Sequence, residues 1–177
     1  MDFELSEEQK MFQAMVRDFV DNEIAPRAAE WDESEVFPHD VVKKMAEVGL
    51  YGLHMPEKYG GSGDDISFVL AVEEISRGCG GLGASYVTTM SLAMNAIVMH
   101  GSDEQKARYI PWVIGGANVS FGLTEAMAGS DVANLDTRYE RDGDDFILNG
   151  TKIFITSAEN ASAVSPSRSC LRGRNSA

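Results

Sequence analysis

The spacing of apolar residues changes once along this chain, near Gly115-Gly116, and no other feature of the sequence constrains the fold as strongly. Before the two glycines, apolar residues recur every three or four positions, as they do along the buried face of an α-helix. After them, apolar and polar residues alternate, as they do in a strand with one buried face. A block of helices followed by a block of strands predicts an α+β protein and argues against an alternating α/β sheet.

Five helices are predicted in the first part of the chain. Two of them begin at a capping box, in which a serine and the glutamine three residues later satisfy each other's backbone amides: Ser6 with Gln9, and Ser102 with Gln105. The first helix is predicted to end near Pro26, because proline has no amide donor. The five segments are about 6–24, 38–49, 66–77, 82–99 and 102–110, the last ended by Pro111.

The second part of the chain is predicted to form short strands joined by tight turns. Asp142-Gly143 and Asn149-Gly150 are dipeptides that favour two-residue hairpin turns. The strand-like runs around them are about 119–123, 137–141, 145–148 and 152–156. The predicted architecture is an N-terminal all-α helical domain, residues 1–115, followed by an incomplete antiparallel β domain, residues 116–159.

The last segment, residues 160–177, differs from the rest in composition. It contains five serines and three arginines, and it has no acidic residue. Its low complexity and its lack of alternation predict a disordered tail that is unrelated to the preceding domains. The strand pattern stops before the further strands that a closed sheet needs, so we interpret the sequence as a truncated chain.

The charge balance excludes several classes of partner. The chain carries 15 Lys and Arg against 28 Asp and Glu, a net charge of −13. Such a surface repels the phosphates of nucleic acids and of anionic membranes, so neither is an expected partner. No apolar run reaches the roughly 18 residues of a membrane-spanning helix, and the acidic N-terminus lacks the features of a signal peptide. We therefore expect a protein of the cytoplasm, or of the mitochondrial matrix if the source is eukaryotic.

Cysteines and histidines are few and scattered along the chain. Cys79 and Cys170 lie in unrelated surroundings, so they predict no disulfide framework. His39, His54 and His100 complete no set of metal ligands with them. We expect neither a structural disulfide nor a metal site.

The run from Phe121 to Asp131 has a pattern suited to ligand binding, because a strand leads there into a turn of small and hydroxyl-bearing residues. Glycine has no side chain, so the backbone amides around Gly129 and Ser130 can approach an anionic or carbonyl-bearing ligand closely. The same residues also fit a strand followed by an Asx-type turn at Ser130-Asp131. The residues alone leave both interpretations open.

Six segments carry a resemblance to a known family. They are Leu5–Gln9, Gly49–Gly63, Glu73–Arg77, Gly101–Lys106 with Tyr109–Pro111, Gly122–Glu125 with Ala128–Asp131, and Leu148–Thr156. In this order and at these spacings they resemble the acyl-CoA dehydrogenase family, flavoenzymes that oxidise the α,β carbon bond of acyl-CoA thioesters. The resemblance spans residues 3 to about 159 and depends on the order of the segments more than on any one of them.

The resemblance implies that the chain binds FAD. The implied FAD-binding residues are Phe121, Leu123, Thr124, Gly129, Ser130, Phe154, Ile155 and Thr156. Ser130 is also the implied contact to the acyl-CoA substrate, and Thr156 is the implied hydrogen-bond donor to flavin N5. A donor at N5 suits a ring that receives hydride from the β-carbon of the substrate. From the residues alone, Phe154 fits a sheet core and Thr156 fits a strand.

The resemblance also implies functions that residues 1–177 do not supply alone. In the family, a glutamate of a C-terminal helical domain removes the α-proton, so we expect no catalytic residue in this chain. Electrons pass to an electron-transfer flavoprotein, in fatty acid or amino acid catabolism, and a full-length protein is expected to form a homo-oligomer. Two other hypotheses stay open: a non-catalytic fragment that associates with a partner, and an acyl-CoA oxidase-like flavoenzyme of the same fold.

The predicted helix at 82–99 matches one that helps to line the acyl channel in the family. Its implied lining residues are Ser85, Thr88, Thr89 and Leu92, although the same spacing also fits packing between helices. Ala126-Met127 stands where many family members carry proline and glycine, which implies a changed substrate fit.

Overall fold

The computed structural model describes residues 4–166, in which a group of helices is followed by two small two-stranded sheets. This order of elements confirms the α+β class. The α-helices are α1 (Glu7–Phe19), α2 (Ala28–Ser34), α3 (His39–Glu47), α4 (Asp65–Gly78), α5 (Gly80–Val87), α6 (Met94–His100) and α7 (Asp103–Ile114). The strands are β1 (Val119–Gly122), β2 (Arg138–Asp142), β3 (Asp145–Asn149) and β4 (Ala163–Pro166). Residues 167–177 of the predicted tail lie outside the described residues.

Both predicted capping boxes are present. The Ser6 hydroxyl accepts a hydrogen bond from the Gln9 amide over 3.2 Å, and the Gln9 side chain accepts from the Ser6 amide over 2.9 Å. Ser102 and Gln105 repeat the arrangement with the same two distances at the start of α7. These local contacts fix the first turns of α1 and α7 where the sequence predicts them.

Helical backbone extends past both prolines that were predicted to end helices. After α1 the chain forms a π-helical turn, Val20–Ile24, and a 3₁₀ turn, Ala25–Arg27, before it continues into α2. Pro26 lies at the beginning of the 3₁₀ turn, where a missing amide donor leaves no bond unmade. Pro111 lies inside α7, which ends three residues later at Ile114. The predicted stops at Pro26 and Pro111 are therefore wrong: Pro26 lies in the first turn of a new helical segment, and α7 continues for three residues past Pro111.

A long rod, Gly80–His100, crosses the helical part of the molecule. It consists of α5, a π-helical segment at Thr88–Ala93, and α6. Within residues 4–166 it is the one helix long and apolar enough to span a membrane by length and composition, yet half of its apolar stretch is buried inside the structure. That burial is typical of the central helix of a folded domain.

A buried carboxylate joins α1 to α4. Glu74 has a side chain that is 1% exposed, and it receives hydrogen bonds from Arg17 of α1 and from Arg77 of its own helix. The paired guanidinium of Arg17 lowers the pKa of Glu74, with a further contribution from Arg77. The neighbouring Glu73 is exposed. Glu74 thus has a structural role, since its carboxylate is paired with Arg17 of α1 and Arg77 of α4.

The hydrophobic core lies between the rod and the surrounding helices and reaches β1. Tyr51 and Tyr86 pack edge to face at its centre, with ring centroids 5.4 Å apart, and the Tyr86 hydroxyl donates to the Leu50 carbonyl over 2.6 Å. Burial raises the pKa of both phenols. Val119 belongs to the same core cluster, so β1 is anchored on the helical part.

The strands β2 and β3 form the predicted antiparallel hairpin, which pairs Arg138 with Asn149 and Asp142 with Asp145. Its turn contains Gly143 at a φ of 62°, a conformation that favours glycine. Tyr139, Phe146 and Leu148 share one face of the hairpin and are 41%, 59% and 51% exposed. On this apolar hairpin face, the side chains of Phe146 and Leu148 are more than half exposed.

The remaining strands differ from the predicted antiparallel meander. β1 and β4 pair in parallel, with Val119 opposite Ala163, because a long connection brings the chain back to the same end of the strand. Residues 152–156 form no strand: Lys152 is held by two acceptors, and Phe154 has a φ of 55°, outside the extended region. Ordered backbone also extends to Pro166, past the predicted boundary at residue 159.

The Asn149-Gly150 dipeptide does not form the predicted hairpin turn. A Cβ on Gly150 would lie 2.3 Å from the Thr137 hydroxyl oxygen and 2.7 Å from its Cα. Glycine is therefore required at position 150, because the backbone passes too close to Thr137 to leave room for a side chain. After β3 the chain leaves the hairpin at this point.

Candidate functional site

Two segments that the sequence assigns to one site lie side by side: residues 120–124, which end β1 and follow it, and residues 152–156. The Ile153 amide donates a hydrogen bond to the Thr124 carbonyl over 3.0 Å. The Ser120 hydroxyl donates to the Thr156 carbonyl over 2.8 Å. The two segments are thus joined at both ends, and the predicted FAD-binding residues on them are neighbours.

A buried ion pair lies beneath this junction. The Nζ of Lys152 is 2.7 Å from Glu125 Oε1 and donates a second hydrogen bond to the Leu123 carbonyl over 2.9 Å. The two side chains are only 13% and 7% exposed. Glu125 also accepts hydrogen bonds from the Thr137 amide over 3.0 Å, from the Thr137 hydroxyl and from the Asp136 amide. One carboxylate thus connects the start of the 125–137 loop, its end and the 152–156 segment.

These donors hold Glu125 in its ionised form. The ammonium of Lys152 and the hydroxyl of Thr137 lower the pKa of Glu125 from 4.5 to about 2, because both favour the charged carboxylate. Burial acts in the opposite direction and is outweighed. At neutral pH the Glu125 side chain is therefore ionised and only accepts hydrogen bonds. Each hydrogen bond that it accepts stabilises the ionised form.

The loop after Glu125 presents the predicted ligand-contacting residues to solvent. Glu125 and Ala128 exchange two backbone hydrogen bonds, of 3.0 and 3.2 Å, which close a tight turn. Met127 at its tip is 88% exposed, and Gly129 and Ser130 after it are also exposed. A Cβ on Gly129 would meet no atom within 4 Å, so the backbone there is open to a ligand.

Phe154 and Thr156 also lie open. Phe154 is 90% exposed, so the interpretation of this ring as sheet core is wrong. Thr156 is exposed and outside any strand, which removes strand packing as the reason for its presence. Phe154 has a positive φ, which is uncommon for a bulky residue and is typical of functional positions. An exposed ring beside exposed hydroxyls can contact a planar ligand that carries hydrogen-bonding groups.

The rod Gly80–His100 contributes hydroxyl groups on the other side of β1. The Thr89 hydroxyl, on a residue that is 1% exposed, has two acceptors within reach of its one proton, Asn118 Oδ1 and the Val119 carbonyl, and it accepts from the Val119 amide over 3.3 Å. Ser85, 3% exposed, lies 2.7 Å from the Ser157 hydroxyl. The Thr89 hydroxyl is thus used to attach β1 to the rod, whereas Leu92 is 47% exposed.

Two cavities lie in this part of the molecule. One, of about 350 Å³, is bordered by Trp31, Phe37 and Leu82, and by Ser85 and Thr156. The other, of about 590 Å³, lies between α6, α7 and β4 and contacts none of the predicted FAD-binding residues. The first cavity therefore adjoins the predicted site and the second does not.

The sequence reasoning missed Glu125, Lys152 and Thr137. Glu125 lay within a segment that resembles the family and Lys152 began a predicted strand, but neither had an assigned role. A signal was available, since Lys152 is the one charged residue in the run from Ile147 to Thr156. A lysine that is largely buried in the fold needs a partner such as a carboxylate.

Comparison with protein families identifies two matching models. The model described as "Acyl-CoA dehydrogenase, N-terminal domain" matches residues 6–117, and "Acyl-CoA dehydrogenase, middle domain" matches residues 120–165. The first match alone covers more than half of the chain.

Similar proteins and structures carry related names. A probable acyl-CoA dehydrogenase, YngJ, of Bacillus subtilis is 46% identical over 93% of this chain, and the short-chain specific acyl-CoA dehydrogenase of Clostridium acetobutylicum is 43% identical over 88%. A glutaryl-CoA dehydrogenase of Mycobacterium smegmatis, solved in complex with FADH2, aligns with a TM-score of 0.86 at 36% identity over 92% of this chain. The chain spans 44%, 42% and 42% of the lengths of these three proteins.

Proposed function

Because the chain belongs to the acyl-CoA dehydrogenase family, we propose that it forms the part of an FAD-dependent acyl-CoA dehydrogenase that contacts the flavin and the acyl thioester. The observation that carries the proposal is the junction between residues 120–124 and 152–156. It brings the two predicted FAD-binding segments together and leaves Phe154 exposed between them and solvent.

The residues at the junction suit a flavin. The Phe154 ring offers an apolar face to an aromatic ring system, and the open backbone at Gly129 permits close approach. The hydroxyls of Ser130 and Thr156 make no hydrogen bond among residues 4–166, so they are available to a ligand. This combination of an exposed ring, an open backbone and two unused hydroxyls supports FAD as the bound group.

When bound, FAD accepts the two electrons that leave the α,β bond of the acyl thioester. The role of this chain is to bind and orient the flavin and the acyl thioester. Thr156 supplies a hydroxyl donor for the flavin ring, Phe154 covers it from water, and Ser130 supplies a hydroxyl for the acyl thioester. Glu125 cannot take up a proton near neutral pH, because its pKa of about 2 keeps it ionised and fully hydrogen-bonded.

The proposal includes the assembly in which this part works. The helical domain comprises residues 1–115 and the β domain begins at residue 116. The α-proton is removed by a base from another domain of the whole enzyme, and the electrons pass to an electron-transfer flavoprotein. The whole enzyme is a homo-oligomer of the cytoplasm, or of the mitochondrial matrix in a eukaryote, and it uses acyl-CoA substrates.

Titration of the purified chain with FAD tests the proposal, with flavin fluorescence and visible absorbance as readouts. We expect saturable binding with a shifted flavin spectrum. Phe154→Ala should weaken binding about threefold to tenfold, since an aromatic contact contributes about 0.5–1.5 kcal/mol. Thr156→Ala should weaken it to a similar extent through one lost hydrogen bond.

The matched control is Phe146→Ala, which removes another exposed phenylalanine from the apolar hairpin face. This variant should bind FAD as the unaltered chain does. Absence of saturable binding by the unaltered chain would contradict the proposal, and equal losses in the Phe146 and Phe154 variants would show that the effect is not local to the junction.

An acyl-CoA oxidase-like activity is the nearest alternative within flavoenzymes. Acyl-CoA added to flavin-loaded protein should bleach the flavin if the chain supports electron transfer from the substrate. Oxygen consumption during that reaction favours the oxidase, whereas its absence together with reoxidation by an electron-transfer flavoprotein favours the dehydrogenase.

One observation favours a second candidate function, a non-catalytic fragment that associates with a full-length relative. Phe146 and Leu148, on the apolar hairpin face, are 59% and 51% exposed. Colourless protein that captures a full-length relative, and loses it on Phe146→Ser with Leu148→Ser, would support this candidate.

A further inference from the structure

We propose that Glu125 and Lys152 are positioning residues of the flavin site, whose ion pair sets the spacing between the chain after β1 and residues 153–156. The inference depends on the proposed function, because the two segments that it positions are the ones assigned to FAD. It goes further in naming a pair that does not touch the flavin and yet controls how the flavin is held.

Lys152 connects the two segments through its ammonium group. Its Nζ lies 2.7 Å from Glu125 Oε1 and 2.9 Å from the Leu123 carbonyl oxygen, so both acceptors belong to the segment that follows β1. The lysine itself lies one residue before Ile153, whose amide bonds to Thr124. Three hydrogen bonds from two successive residues therefore cross between the two segments at one point.

Glu125 is also bound to the far end of the 125–137 loop. Its carboxylate accepts from the Thr137 amide, the Thr137 hydroxyl and the Asp136 amide, where the 125–137 loop returns to the body of the protein. That loop carries Gly129 and Ser130. The same carboxylate thus fixes both ends of the loop and, through Lys152, the start of the segment that carries Phe154.

The backbone that follows Lys152 is strained at two positions. Phe154 at a φ of 55° and Ser157 at 59° are both non-glycine residues in the left-handed region. Such conformations persist only where surrounding contacts determine them. Before Phe154, these contacts are the hydrogen bonds of Lys152 and Ile153. After Phe154, Ser120 donates to the Thr156 carbonyl, and Ser85 contacts Ser157.

The test compares Lys152→Met and Glu125→Gln with the unaltered chain through two readouts. The first is FAD affinity with the visible flavin spectrum, and the second is hydrogen exchange of the Ile153 amide in the flavin-free protein. We expect a roughly tenfold weaker affinity, a shifted spectrum, and a similar loss of Ile153 protection, because a site that loses its support loses its geometry. Lys152→Arg, which keeps a buried cation, should retain most of both.

Lys44→Met is the matched control, since it removes a lysine from an exposed ion pair with Glu23, on the helical part. It should change neither readout. Thr137→Val removes one donor to Glu125 and keeps the charge pair, and it should weaken FAD binding about threefold. If far-UV circular dichroism shows that Lys152→Met does not fold, the FAD affinity of this milder variant tests the positioning role instead.

The outcomes separate the inference from the proposed function. If the unaltered chain binds FAD and the Lys152, Glu125 and Thr137 variants bind it with the same affinity and spectrum, the positioning role is overturned while the flavin site stands. If the unaltered chain binds no FAD, the proposed function fails. In that case the hydrogen exchange of the Ile153 amide still tests the ion pair, because unchanged protection in Lys152→Met would overturn its role in spacing the two segments.

Discussion

Glu125 contributes to the dependence of stability on pH in the acid range. Its pKa is lowered from 4.5 in the unfolded chain to about 2 in the folded one, so it contributes stability that is fully present above about pH 5. That contribution is lost as the pH falls through 4.5 towards 2, because the folded state must then bind a proton against Lys152 and Thr137. Glu125→Gln should therefore lower Tm by about 5 °C or more at pH 7.

The pH dependence of this difference is the measurement that checks it. Urea unfolding midpoints of the two proteins should lie far apart at pH 7 and approach each other between pH 5 and pH 3. Asp144→Asn, which alters an exposed carboxylate in the β2–β3 turn, is the control and should give a small gap. A Glu125→Gln gap that stays constant from pH 7 to pH 3 would contradict the assignment.

Thr89 supports β1 through a buried hydroxyl. Thr89→Val keeps the shape of the side chain but leaves the Val119 amide and the Asn118 side chain without that partner. The free energy of unfolding should fall by about 1–3 kcal/mol, the penalty of a buried polar group left unsatisfied. Thr88→Val changes the neighbouring, half-buried hydroxyl, which makes no hydrogen bond among the described residues, and should be close to neutral.

Individual residues show where sequence reasoning reaches its limit. Glu74 and Glu73 are adjacent and identical in type, yet one is buried between two arginines and the other is exposed. Phe154 lies in an apolar run that reads as a strand, and its positive φ depends on contacts made by Lys152 with residues far away in the chain. Local pattern could predict neither outcome, because tertiary partners determine both.

Close packing between α4 and α5 depends on one glycine. A Cβ on Gly83 would lie 2.2 Å from the Ser76 hydroxyl oxygen and 2.9 Å from the Ser76 Cα, so the two helices would have to move apart. Gly83→Ala should destabilise the protein by about 1–3 kcal/mol, the usual effect of overpacking. Thermal unfolding followed by circular dichroism measures the change.

Gly81, two residues earlier in α5, provides the contrast. A Cβ there would meet nothing within 4 Å, so Gly81→Ala should stabilise the protein by about 0.4–1 kcal/mol through a less flexible unfolded chain. Opposite signs for the two substitutions are expected. A destabilising Gly81→Ala equal to Gly83→Ala would contradict the role of the Ser76 contact, because a Cβ at Gly81 meets no atom within 4 Å.

Helices were more predictable than strands in this chain for a physical reason. The starts of α1 and α7 depend on contacts between residues three apart, which the sequence displays directly as Ser6 with Gln9 and Ser102 with Gln105. The β2–β3 hairpin was predictable for the same reason, since its pairing is local. The β1–β4 pair was not, because it joins Val119 to Ala163 and no local pattern reports a partner so distant.

At the scale of the whole molecule, excess negative charge should govern how stability responds to salt. The chain has 13 more acidic than basic residues, and the resulting self-repulsion destabilises the compact state. Salt also weakens ion pairs, but most pairs among residues 4–166 are exposed, as at Lys10–Glu7 and Lys58–Asp103, and each contributes about 0–1 kcal/mol. Repulsion should therefore dominate, and salt should stabilise.

Raising NaCl from about 0.01 M to about 1 M shortens the Debye length from about 30 Å to about 3 Å. We expect Tm to rise by roughly 3–5 °C over that range, measured by circular dichroism at pH 7. Glu33→Lys and Lys43→Glu alter exposed positions and change the net charge by two units in opposite directions. At low salt the first should be more stable than the unaltered chain and the second less stable, with the largest salt response in Lys43→Glu. A Tm that falls with salt in all three proteins would show instead that attractive ion pairs outweigh the net charge.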